Sequence, residues 1–272
     1  MAGDKSDDLC LSDQRDGSVT LLTLNRPARR NALSPDLVAA LAAALDVAAS
    51  ADDVHVVVLT GAGTAFCAGL DLEAYGAATA DRSTVARVVR SLAHFPKPVI
   101  AAVNGVAVTG GFELMLACDL VVAAKGVRFF DTHIRVGAMP GAGMAARLPQ
   151  AIGIRRAKEL AFTGGAISSE EGERLGLVNR LVAPEDVVST ALEIARSIAE
   201  FDPEHLAAMK KLYDAAQLPF TGAALEAEAA ANAAIAQIRR HSPEPWAPSS
   251  RKSGEILATG ATRLMVSSSP VG

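Results

Sequence analysis

Three short, predominantly apolar runs, Val54 to Thr60, Pro98 to Val103 and Asp119 to Ala124, limit the fold more than any other feature of this chain. None alternates with polar residues, so each reads as a buried strand rather than one with a wet face. Helical segments separate them: Asp81 to Phe95, then Gly111 to Cys118, which begins at a glycine pair. Upstream, Leu9 to Arg15 and Ser18 to Leu24 flank Asp16-Gly17, a dipeptide suited to a two-residue hairpin turn, since both centres accept positive φ. Ser34-Pro35 predicts a helix with Ser34 as its N-cap, running to about Ser50. From Ala142 helices dominate, apart from a short strand at Leu177 to Val182. Strands therefore crowd the first half and helices the second, and no internal repeat of fixed length is visible.

A chain of 272 residues, half of them hydrophobic, can bury a full core as one large α/β domain or two small ones. Its net charge of −4, with acidic and basic residues mixed along the sequence, offers no basic field for nucleic acid. Cys10, Cys67 and Cys118 are too few for a disulfide framework and show no metal-ligand pairing, as expected in a reducing compartment. The first residues lack the apolar core of a signal peptide, and charges interrupt every apolar stretch before it reaches membrane-spanning length. These features predict a cytoplasmic protein with no membrane partner. From His241 to Gly272, Pro, Ser, Gly and Arg break any periodicity, which predicts a poorly ordered tail over 241–272.

Three constellations could carry chemistry. Gly61-Ala62-Gly63-Thr64-Ala65-Phe66 has the start of a dinucleotide fingerprint, with Asp81 at about the right distance, but Phe66 occupies the third glycine position. Gly105 to Gly111 has two glycines spaced as in a phosphate-binding loop, but Gly111 stands where the lysine must be. It reads either as a tight strand-to-helix turn or as backbone N–H groups presented at a helix N-terminus, where developing negative charge is favoured. Glu113 and His133 form the third. A glutamate among Phe112, Leu114, Met115 and Leu116 is either on an exposed face or a desolvated acid with a raised pKa. The five histidines show no metal-ligand spacing.

Taken in order, Asn25-Arg26-Pro27, Asn31-Ala32-Leu33, Phe66 to Leu72, Lys97 to Gly105, Gly110 to Leu114, Cys118-Asp119, Met139 to Gly143 and Gly176-Leu177-Val178 form a series that resembles the crotonase, or enoyl-CoA hydratase/isomerase, superfamily. The similarity runs from about Val19 to the helix near Glu226. It implies an α/β fold: a spiral of ββα units over 1–200, a C-terminal helical trimerisation region over 201–240, and assembly as a homotrimer or a dimer of trimers. It implies an acyl-CoA thioester as the partner, with coenzyme A as part of the substrate and neither cofactor nor metal.

Residue by residue, the resemblance implies that Ala68 and Gly110 supply the two N–H groups of an oxyanion hole. Ala65, Ala68, Gly69, Leu70, Asp71 and Leu72 would line the coenzyme A site, with Gly110, Pro140 and Gly141. Arg29 or Arg30 would replace the family's lysine as a partner for its phosphates. Glu113 matches the first catalytic glutamate. His133 stands where hydratases carry the second, and an imidazolium can also donate a proton. Thr109 replaces the first glycine of the usual triplet. The expected activity is addition of water to trans-2-enoyl-CoA in fatty acid β-oxidation. Isomerisation, hydrolysis and silent acyl-CoA binding are the alternatives.

Overall fold

The computed structural model describes residues 8–15, 18–75 and 83–241. The hairpin turn at Asp16-Gly17, Asp81 and the predicted tail beyond His241 lie outside them. The flanking strands do pair: β1 (Cys10–Arg15) runs antiparallel to β2 (Val19–Leu24), in a register that sets Arg15 opposite Val19. α1 (Pro35–Ser50) starts where predicted, with the Ser34 hydroxyl accepting the Leu37 N–H at 3.2 Å.

Each buried run becomes a central strand of one six-stranded sheet. β3 (Val56–Gly61), β5 (Val99–Val103) and β7 (Leu120–Ala124) lie parallel in the order β1-β2-β3-β5-β7-β10, with β10 (Arg180–Val182) at the edge. The pleat sends alternate side chains to opposite faces. Val56, Val58, Ile100, Ala102 and Val122 pack against α7 (Val187–Ala199). Val57, Leu59, Ala101, Val103 and Val121 join α1 and the rest of the interior in the larger core. Covering on both faces is why the stretches Val56 to Leu59, Val99 to Val103 and Leu120 to Ala124 carry no polar residues.

After each central strand the chain turns into a second, smaller sheet. β4 (Ala65–Cys67), β6 (Val106–Val108) and β8 (Arg128–Phe130) pair in parallel there, and β9 (Ala166–Ser168) closes the edge antiparallel to β8. A helix follows the first two of these pairs, α2 (Ser83–Ala93) and α3 (Gly110–Ala117), which gives the ββα repeat of the spiral. Gly111 is needed where α3 begins, because a Cβ there would sit 2.2 Å from the Cys67 carbonyl oxygen of β4.

The second half is helical: α4 (Met144–Ile152), α5 (Ile154–Thr163), α6 (Ser169–Leu175), α7 and the long α8 (Pro203–His241). Among the described residues, no helix is long and apolar enough to cross a membrane.

Candidate active site

Glu113 lies in the first turn of α3, and burial decides between its two readings: it is 4% exposed. Its Oε1 accepts the N–H groups of Ala142 and Met144 at 2.9 and 3.3 Å, from the segment that opens α4. Its Oε2 lies 3.9 Å from Nε2 of His133, also buried, at the start of the 3-10 turn His133–Val136. Burial pushes the Glu113 pKa above the ordinary carboxylate value, against the lowering effects of His133 and the Ala142 N–H.

His133 is oriented from its other nitrogen. Asp131, 1% exposed, accepts from Nδ1 at 2.7 Å and also takes the His133 N–H at 3.2 Å. Burial is the largest single influence on the ring and opposes its charging. The hydrogen bond to Asp131 and the charges of Glu113, Asp131 and Glu228 outweigh it, so the His133 pKa stands above its ordinary value. With Nδ1 engaged, Nε2 is the atom left to face Glu113.

Gly110 opens α3 beside the loop 68–72, but Ala68 does not fill the role expected of it. Its N–H donates to the Arg30 carbonyl at 2.9 Å, and an N–H spent in that way is not free for a substrate oxygen. Leu70 differs. Leu33 bridges to the groups on either side of it, donating to Gly69 O at 2.7 Å and accepting from Asp71 N at 3.0 Å. The Gly69 carbonyl points at Leu33, and across the trans peptide the Leu70 N–H points the opposite way, away from Leu33. A Cβ on Gly110 would lie 3.7 Å from the Leu70 nitrogen. Among the described residues, neither N–H is spent on a backbone carbonyl.

The other expected contacts divide into anchors and surface. Asp71 is buried and accepts from Arg26 Nη1 and the Ala74 N–H, each at 3.0 Å. Burial alone would raise its pKa, but these partners hold it below the ordinary value. Asp71 therefore fixes the loop. Ala65 is buried in β4, Gly69 takes φ +86°, and Leu72 is exposed. Arg29 is exposed and paired with Glu73 at 2.5 Å, and Arg30 is exposed in the left-handed region. Pro140 and Gly141 are half-buried beside α8. Glu228 was not expected at the site. Asp131 is legible only as a carboxylate two residues before His133, and Glu228 gives no signal in an Ala-rich helix.

A family model described as enoyl-CoA hydratase/isomerase matches residues 14–242. A probable peroxisomal enoyl-CoA hydratase of Arabidopsis thaliana is 36% identical over 197 residues, 71% of this chain and 74% of that protein. A crystal structure of an enoyl-CoA hydratase from Mycobacterium smegmatis superposes with a TM-score of 0.75 at 40% identity, covering 85% of this chain and 99% of that one. A monofunctional enoyl-CoA isomerase from the same organism gives 0.69 at 34% identity, over 77% of this chain and 94% of that one.

Proposed function

The chain belongs to the enoyl-CoA hydratase/isomerase family, the crotonase superfamily, and on that premise we propose that it is a hydratase adding water to a trans-2-enoyl-CoA to give the 3-hydroxyacyl-CoA. The observation that carries this reading is the buried pair Glu113 and His133, whose Oε2 and Nε2 face each other 3.9 Å apart.

In this mechanism the Gly110 and Leu70 N–H groups receive the thioester oxygen. Negative charge collects there as water adds, and each donor is worth about 3 to 4 kcal/mol in such a hole. Glu113 Oε2 removes a proton from water while the oxygen bonds to C3. The double-bond electrons move to C2, which takes a proton from Nε2 of the His133 imidazolium. Glu113 ends protonated and His133 neutral, and transfer across the short gap between them restores both. Asp131 keeps the ring charged and turned. The loop 68–72, with Ala65, Pro140, Gly141 and Arg29 or Arg30, would hold coenzyme A, and the chemistry asks for no cofactor or metal. A cytoplasmic location and a homotrimeric or hexameric assembly complete the proposal.

Incubation of the purified protein with a panel of trans-2-enoyl-CoA thioesters tests it. Absorbance of the conjugated thioester should fall, and mass spectrometry should show a product heavier by one water. A product of unchanged mass would replace hydration by isomerisation, the activity named for the 34% identical relative. Binding without any product would leave an acyl-CoA-binding protein.

A further inference from the structure

α8 reaches back over the site through two side chains that the proposed reaction does not use. Glu228 is 6% exposed on a helix whose other side chains are mostly open to solvent. Its Oε2 accepts the Gly143 N–H at 2.9 Å and its Oε1 the Ala145 N–H at 2.7 Å. Glu113 Oε1 takes the N–H groups of Ala142 and Met144. Four consecutive N–H groups at the start of α4 are thus shared alternately between carboxylates from α3 and α8. Asn232, one turn beyond Glu228, donates to the Pro140 carbonyl at 2.5 Å, and a Cβ on Gly141 would come 3.2 Å from its Nδ2. The segment that holds Glu113 is itself held by α8.

We infer that Glu228 is a positioning residue for proton transfer at Glu113: by occupying the Gly143 and Ala145 N–H groups from α8, it leaves Glu113 anchored through Oε1 alone and keeps Oε2 turned toward His133. This rests on reading Glu113 as the base. The physical reason is competition for donors. The free N–H groups of a helix N-terminus seek acceptors, and if Gly143 and Ala145 lacked theirs, a small rotation of the segment would offer one to Oε2, tying down the oxygen that must take the proton. Two buried carboxylates at one helix end also bear on each other. The charge of Glu228 adds to burial in raising the Glu113 pKa, and it adds to Asp131 and Glu113 in raising that of His133. Glu113 is faced by His133 and Glu228, with Asp131 behind the ring. Arg147 of α4 lies within the fields of Glu228, Glu113 and Asp214.

Glu228→Gln removes the charge and leaves one acceptor oxygen for two N–H groups. On a trans-2-enoyl-CoA, kcat should fall about 10- to 100-fold with KM little changed, as for a displaced reacting group. The acid limb of the kcat profile should move to lower pH. By NMR, the titration midpoint of the His133 ring should also move to lower pH. The ring titration needs no turnover, so a wild-type protein that fails to hydrate overturns the reaction reading and leaves the ring to judge Glu228. A variant that merely melts earlier, with kcat, limb and ring unmoved, makes Glu228 a helix cap and overturns the inference. Should the glutamine variant not fold, Glu228→Asp keeps the charge but is too short to reach both N–H groups. Its kcat should fall with the limb in place, and an unchanged kcat is equally fatal.

Discussion

At the scale of single residues, the proposed proton path joins two buried groups, Glu113 and His133, whose pKa values are both raised. Hydration needs Glu113 ionised and His133 charged. Activity should therefore rise with pH through the raised Glu113 pKa and fall through the raised His133 pKa. Asp131→Asn removes the partner that most favours the charged ring, so the alkaline limb should move to lower pH; a limb that stays put would detach it from His133. Glu113→Gln should lose two to four decades in kcat while binding coenzyme A thioesters normally, because only proton transfer is removed. His133→Ala should lose as much, and His133→Glu, which restores two carboxylates, should recover hydration if the pocket still suits the reaction. Glu113 and His133 were legible in the sequence because the motif around each keeps its spacing. Which nitrogen of the ring is free was not, since Asp131 settles that only once its carboxylate has folded beneath the ring.

At the scale of elements, the junctions after β6 and β8 are tied together at Thr109. It precedes Gly110 with φ 50° and ψ −104°, a conformation that a β-branched residue avoids and a glycine accepts. Its N–H donates to Phe130 O at 2.8 Å, its hydroxyl pairs with that of Thr132, and the Thr132 N–H donates to the same hydroxyl at 3.3 Å. These bonds join the turn carrying Gly110 to the one carrying His133. The strain costs about 1–3 kcal/mol. Thr109→Val keeps the strain and drops the hydroxyl, so urea unfolding should show a loss of about 1–3 kcal/mol for the polar groups left without partners. Thr109→Gly relieves the strain while losing the same bonds, and should stay within about 1 kcal/mol of the wild type. Equal losses in the two variants would mean that the backbone is not strained there.

At the scale of the whole molecule, α8 carries Leu212, Tyr213 and Phe220 exposed by 70, 68 and 71%. Light scattering after gel filtration should give the mass of a trimer or a dimer of trimers. Leu212→Glu combined with Phe220→Glu should reduce it, and a wild-type monomer at micromolar concentration would refute the assembly. What the chain alone determined is the central sheet and the candidate acid, Glu113. Val56 to Leu59, Val99 to Val103 and Leu120 to Ala124 are apolar because both faces of their sheet are covered, and that requirement is written locally, residue by residue. The smaller sheet was not legible, because β4, β6, β8 and β9 have three residues each, too few for any period to register. Nor was the spent N–H of Ala68, since whether an N–H is free depends on which carbonyl the rest of the chain brings to it. Glu228 was beyond reach for the same reason: it meets Gly143 across 85 residues, and only the packing of α8 on α4 turns an ordinary helical glutamate into a part of the site.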